Sequence, residues 1–134
     1  MLASRLPKAE TYGPPEGNVL LVGWGSSQGP IQEAVDKARA AGESVSALNI
    51  RYIQPLQPGI GEILEGFNHI FVVEINDEGL YGYGQLAAVL RARFCNDKIL
   101  GINKTDGLPY KVREILNGMK DKLKQSPEPA LARA

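Results

Sequence analysis

NVLLVGWGSSQG, from Asn18 to Gly29, joins an apolar run to a glycine turn and a helix start. Val19 to Val22 run apolar without a break, and glycines follow at 23, 25 and 29. A short continuous apolar run bounded by glycines predicts a strand buried on both faces, which requires helices above and below it. The glycines permit a sharp turn, Ser26 and Ser27 are capping residues, and Pro30 suits the first turn of a helix. The stretch therefore opens an α/β unit. In such folds the ligand crevice lies just beyond turns of this kind.

Working outward, the same pattern recurs. A helix follows with Ile31, Ala34, Val35 and Ala38 on one face, stopped by Gly42. Val45 to Ile50 reads as the next strand, with Val45, Ala47 and Asn49 on one side and Ser46, Leu48 and Ile50 on the other. After a rigid loop with Pro55 and Pro58, a short helix shows Ile60, Ile63, Leu64 and Phe67 and ends near Gly66. His69 to Ile75 is a third strand. Asn76 to Gly84 is a glycine-rich loop expected to be mobile. The helix after it buries Leu86, Val89 or Leu90, and Phe94. Lys98 to Ile102 is a fourth strand, and a last helix sets Val112, Ile115, Leu116, Met119 and Leu123 against a lysine-rich face. Strands alternating with helices predict a three-layer α/β domain with a mainly parallel sheet. Residues 1–17 read as a linker and edge strand, 18–124 as the domain, and 125–134 as a disordered tail.

Composition narrows the function. Fifteen basic residues balance fifteen acidic ones, so the chain lacks the basic excess of a nucleic-acid surface. It has no apolar run of membrane-span length and no signal-peptide core at its start, which predicts a cytoplasmic protein. With one cysteine and one histidine, 134 residues can supply neither an internal disulfide nor a four-cysteine iron–sulfur site.

Several residues invite a chemical reading, each with a plainer one beside it. Gly23, Gly25 and Gly29 after a strand resemble a dinucleotide-binding turn. Such a turn expects an acidic residue at the end of the next strand, where Asn49 and Arg51 stand instead, and a simple tight turn explains the glycines. Gly25, Ser26, Ser27, Arg51, Glu74 and Asn76 are the residues expected around an anion- or ligand-binding crevice. Glu74 suits a general acid or base, or a carboxylate paired with Arg51 or capping a turn. Ser26 and Ser27 need a basic partner to act as nucleophiles, but His69 lies at the opposite end of a parallel sheet, so capping is the better account. Cys95 reads as a semi-buried, inert thiol. No catalytic residue and no metal ligand is named.

The residues also carry a resemblance. GWGSSQGPIQEAVDKARAAG, LNIRYIQPLQPGIGEIL, VVEINDEGLYGYGQLAAVLRARF and NKTDGLPYKVREIL look, in this order, like successive blocks of one family. The match runs over about residues 8 to 120. RYIQPLQP, the helix start Gly84-Gln85-Leu86, and Asn103-Lys104 with Gly107 and Pro109 are its more specific parts. The chain resembles the C-terminal domain of the alpha subunit of 2-oxoacid:ferredoxin oxidoreductases, the 2-oxoglutarate type most of all, within the transketolase C-terminal domain superfamily. Its NDEGLYGYGQ loop is longer than the form common among ferredoxin-linked subunits.

That resemblance implies a five-stranded mixed sheet of order 1-3-2-4-5 between helices, with Lys8 to Tyr12 as an antiparallel first strand. It implies a holoenzyme that decarboxylates a 2-oxoacid on thiamine diphosphate with magnesium, passes electrons through iron–sulfur clusters to ferredoxin and releases an acyl-CoA. It places those cofactors on other domains, with the rest of the alpha subunit and a thiamine-binding beta subunit as partners. A full alpha subunit would be much longer. The expected role here is assembly, with Tyr81, Tyr83 and Tyr110 as candidate interface aromatics. A nucleotide- or CoA-phosphate-binding module, and the equivalent domain of a 2-oxoacid dehydrogenase or transketolase relative, are the alternatives.

Overall fold

The computed structural model describes residues 8–24, 28–51, 58–74, 85–96, 98–103 and 110–125. Among them the strands are β1 (Thr11–Tyr12), β2 (Gly17–Gly23), β3 (Val45–Asn49), β4 (Phe67–Glu74) and β5 (Ile99–Asn103). The helices are α1 (Gln28–Ala40), α2 (Ile60–Glu65), α3 (Gln85–Phe94) and α4 (Val112–Gln125). The five strands form one sheet of order β1-β3-β2-β4-β5, parallel except for β1, which pairs antiparallel with β3. The expected order and mixed character are those observed.

The apolar run Val19 to Val22 lies at the centre, with β2 hydrogen-bonded to β3 on one side and β4 on the other. All four residues are buried. Alternate residues then serve two cores, because successive strand side chains point to opposite faces. Leu20, Val22, Leu48 and Val72 pack on one face beneath Leu64 of α2 and Leu90 of α3. Leu21, Ala47, Phe71 and Ile102 pack on the other beneath Val35 of α1 and Met119 of α4.

The expected apolar face of α1 is the buried one: Ile31, Ala34, Val35 and Ala38. The helix ends at Gly42, whose φ of 88° is left-handed. The Gly42 amide donates to Arg39 O (2.9 Å) and the Glu43 amide to Ala38 O (3.0 Å), the paired bonds of a glycine-terminated helix. On α3 the choice between Val89 and Leu90 resolves to Leu90, since Val89 is exposed.

Two local expectations are corrected, at Phe67 and at Cys95. Phe67 is not the last residue of a helical face; it opens β4, two residues before His69. Gly66 ends α2, and its amide donates to Ile63 O, so the chain turns straight into the strand. Cys95 is exposed rather than semi-buried, at a left-handed φ of 50° where the chain leaves α3. The mobile loop expected at 76–84 lies outside the described residues, and so does the tail expected at 125–134 except for Gln125, which is instead the last residue of α4.

Candidate functional site

The chain passes from β2 through α1 to β3 on one side, then crosses back through α2 to β4 on the other side of β2. The helices of these two crossovers cover opposite faces. In open α/β sheets such a reversal marks where a crevice is expected, at the carboxyl ends of the two adjacent strands, here Gly23 of β2 and Glu74 of β4. Of the residues expected around it, Arg51 and Glu74 are described. Gly25, Ser26, Ser27 and Asn76 lie outside the described residues, as do the candidate interface residues Tyr81 and Tyr83.

Glu74 is buried, 4 % exposed. Its Oε1 accepts the backbone N–H of Leu86 at 2.7 Å and its Oε2 that of Ala87 at 3.1 Å. Both amides belong to the first turn of α3, where backbone donors have no intrahelical acceptor and the helix dipole favours negative charge. The carboxylate therefore ties the end of β4 to the start of α3, and the capping reading describes it better than a general acid or base. Arg51 is exposed just past β3. The preceding residue, Ile50, donates its amide to Gly23 O at 2.8 Å, which knits the ends of β2 and β3 together.

Tyr110 is corrected from a surface aromatic to a core residue. It is 7 % exposed and packs with Met119 and Ile102. Its hydroxyl lies 2.5 Å from the carbonyl oxygen of Glu74 and 2.7 Å from that of Ile102, one proton serving two acceptors on adjacent strands. A tyrosine buried with its hydroxyl so engaged fastens β4 to β5. Nothing in the sequence around Tyr110 distinguishes this from a loop position at the surface.

The dinucleotide-turn reading also loses ground. In that fingerprint the third glycine permits close packing of helix on strand. Gly29 lies inside the first turn of α1, and a Cβ added there would meet nothing within 4 Å. His69 sits in β4 five residues before Glu74, roughly 17 Å at about 3.3 Å per residue, and stacks against Phe71. It is thus remote from the carboxyl edge, as expected.

Two features of that edge escaped the sequence reading. Trp24, directly after β2, is 50 % exposed, although a tryptophan beside a buried strand suggests core. Asn49, the last residue of β3 and paired in register with Gly23, holds a buried side-chain oxygen that has no hydrogen-bond partner. The signal for Asn49 was present as a polar residue closing an apolar strand, read only as a missing acid. Among the described residues no group of three or more His, Cys, Asp or Glu side chains is arranged to hold a metal ion, and no helix is long and apolar enough to cross a membrane.

Comparison with known proteins places this geometry. The chain is 36 % identical over 100 residues to the 2-oxoglutarate oxidoreductase subunit KorA of Mycobacterium tuberculosis, covering 75 % of this chain and 14 % of that protein. It is 33 % identical over 125 residues to the alpha subunit of 2-oxoacid:ferredoxin oxidoreductase 2 of Aeropyrum pernix, covering 90 % of this chain and 18 % of that one. The chain thus spans less than a fifth of the length of these curated relatives. Among solved structures, the 2-oxoglutarate:ferredoxin oxidoreductase of Magnetococcus marinus, with 2-oxoglutarate, coenzyme A and succinyl-CoA bound, superimposes with a TM-score of 0.77 at 25 % identity, over 90 % of this chain and 20 % of that one. The alpha chain of a probable 2-oxoacid ferredoxin oxidoreductase from Thermoplasma acidophilum matches with a TM-score of 0.57 at 26 % identity, over 87 % of this chain and 97 % of that one. A split-gene transketolase shares the fold at 15 % identity with a TM-score of 0.64. The model of pyruvate:ferredoxin oxidoreductase core domain II matches residues 17–115, and the chain belongs to that family.

Proposed function

We propose that this chain serves as the C-terminal assembly domain of the alpha subunit of a cytoplasmic 2-oxoacid:ferredoxin oxidoreductase of the 2-oxoglutarate type. The family match over residues 17–115 carries the proposal, and the similarity to KorA and to the Magnetococcus marinus enzyme supports the substrate type. The holoenzyme would oxidise a 2-oxoacid to its acyl-CoA with thiamine diphosphate, magnesium and iron–sulfur clusters, and pass the electrons to ferredoxin.

The described residues do not fit those groups. The one buried carboxylate among the described residues, Glu74, accepts the amides of Leu86 and Ala87 in α3 with its two oxygens. A single cysteine cannot ligate a cluster of four thiolates. No chemical step is assigned to this domain. Its contribution is a rigid carboxyl edge, braced by Glu74 and Tyr110, that helps shape the cofactor cleft against the rest of the alpha subunit and a thiamine-binding beta subunit.

Calorimetry of the full chain tests the proposal. Titration with thiamine diphosphate and magnesium is expected to give no binding heat, whereas titration with the remaining subunits gives a saturable one. Micromolar binding of the cofactor by this chain alone would overturn the assembly reading.

A further inference from the structure

Two connections leave the carboxyl edge side by side. One runs from Glu74, which ends β4, to Gln85, which opens α3; the other runs from Asn103, which ends β5, to Tyr110, just ahead of α4. Glu74 and Asn103 are partners in register, so the two connections start from adjacent points. Each is also tied back to its own origin. The Glu74 carboxylate accepts the amides of Leu86 and Ala87, which closes the first. The Tyr110 hydroxyl reaches the carbonyl oxygen of Ile102, which closes the second. Residues 75–84 and 104–109, between these ends, lie outside the described residues.

The two closures share a residue. The Tyr110 hydroxyl that closes the second connection also lies 2.5 Å from the backbone oxygen of Glu74, whose side chain closes the first. Carbonyl and carboxylate hang on one Cα, so a displacement of that Cα that loosens one grip loosens the other. The sharing is geometrically strict. One hydroxyl proton serves oxygens on two strands only while β4 and β5 keep their spacing and register. Glu74 and Tyr110 are both buried, so little water reaches them to replace a lost bond, and an acceptor left alone there is costly. Residues in one such network respond to substitution as a unit rather than additively.

We propose that Glu74 and Tyr110 form one clamp that positions the start of α3 and the end of β5 together, so that a load on either connection is felt at the base of the other. Tyr110 is then a positioning residue for α3, acting through Glu74. The clamp deepens the assembly reading, because it names what holds the carboxyl edge in one shape for docking. The coupling itself is a property of this chain alone and stands whether or not the other subunits bind.

The test is amide hydrogen exchange on the full 15N-labelled chain. Tyr110→Phe removes the shared hydroxyl, and Gly42→Ala serves as a control that loosens the chain at the end of α1. Tyr110→Phe is expected to speed exchange at Leu86 and Ala87 by about fivefold more than at Leu20 and Leu21 of β2, the size expected of coupled neighbours. Gly42→Ala should leave that ratio unchanged. The reciprocal measurement keeps the test alive if Tyr110→Phe fails to fold. In Glu74→Gln the hydroxyl proton of Tyr110, followed through the deuterium isotope shift of the ring carbon that carries it, should exchange about fivefold faster. A folded Tyr110→Phe with the exchange ratio of wild type, or a Tyr110 hydroxyl that exchanges no faster in Glu74→Gln, would overturn the clamp and leave two separate fastenings.

Discussion

Glu74→Gln separates the two meanings of a buried carboxylate at a strand end. The amide keeps one acceptor oxygen, but its NH2 group must face a backbone N–H of α3, and the charge at the helix start is lost. Hydrogen bonds to charged groups contribute about 1.5–3 kcal/mol, so urea titration should show a loss of about 2–3 kcal/mol. Hydrogen exchange at Leu86 and Ala87 should speed up with it, and unchanged stability would mean the cap is idle. Tyr12 gives a second residue-scale prediction. Its hydroxyl bond to Asp36 raises its pKa above the ordinary tyrosine value of 10.0. A raised folded-state pKa adds stability at pH below the unfolded value, and that stability is lost as pH climbs through the folded one. The wild-type chain should therefore lose stability above about pH 10 more steeply than Tyr12→Phe, as read by urea midpoints across pH 8–11. Residue roles were the part least legible in the sequence. A glutamate that caps and one that exchanges protons look alike until the amides of Leu86 and Ala87 are seen to point at it. The hydroxyl of Tyr110 likewise finds its two carbonyls only through strand register.

At the scale of elements, two glycines in and after helices do opposite work. Gly42 adopts a φ of 88°, and a Cβ there would meet nothing within 4 Å. The cost of Gly42→Ala is then purely that of the left-handed backbone, about 1 kcal/mol. Gly118 lies in α4, and its added Cβ would stand 2.8 Å from Cγ2 of Ile102. Ile102 is buried and β-branched, so it cannot swing aside cheaply. Alanine gains about 1 kcal/mol in helix propensity, while overpacking costs about 1–3, so Gly118→Ala should destabilise by about 1–2 kcal/mol. Calorimetric melting of both variants measures this, and a stabilised Gly118→Ala would show that α4 rides loosely on β5. The stopping role of Gly42 was readable because it follows an apolar face of period three to four. The role of Gly118 was not, because a glycine needed for close approach carries no local mark. The same limit placed Phe67 on the wrong element. Its spacing continues the face of α2, and only the turn at Gly66 reassigns it.

For the whole molecule, the continuous apolar runs were enough to specify a sheet covered on both sides, because such strands have no polar face to give to water. Leu20 and Leu21 show how the layers are joined: neighbours in β2, both buried, each in a different core. Truncating either to alanine should cost about 2–5 kcal/mol and lower one shared transition, since the central strand belongs to both layers. The edge strand β1 and strand order came from the family resemblance, not from periodicity, since two residues carry no pattern. What the carboxyl edge does was legible only in part. Trp24, the chain's sole tryptophan, stands half exposed at the end of the central strand, whereas Tyr110, proposed for the surface, is core. Exposed tryptophan is enriched at interface anchors, and truncating such an anchor commonly costs about 2 kcal/mol or more. If this edge docks against the rest of the enzyme, 5-fluorotryptophan placed in this chain alone should give one 19F signal that shifts and broadens as the other subunits are added. Trp24→Ala should then weaken association by roughly thirtyfold, the equivalent of about 2 kcal/mol at 1.4 kcal/mol per tenfold change. A 19F signal that stays at its free position while calorimetry reports saturable binding would move the interface to another face of the sheet.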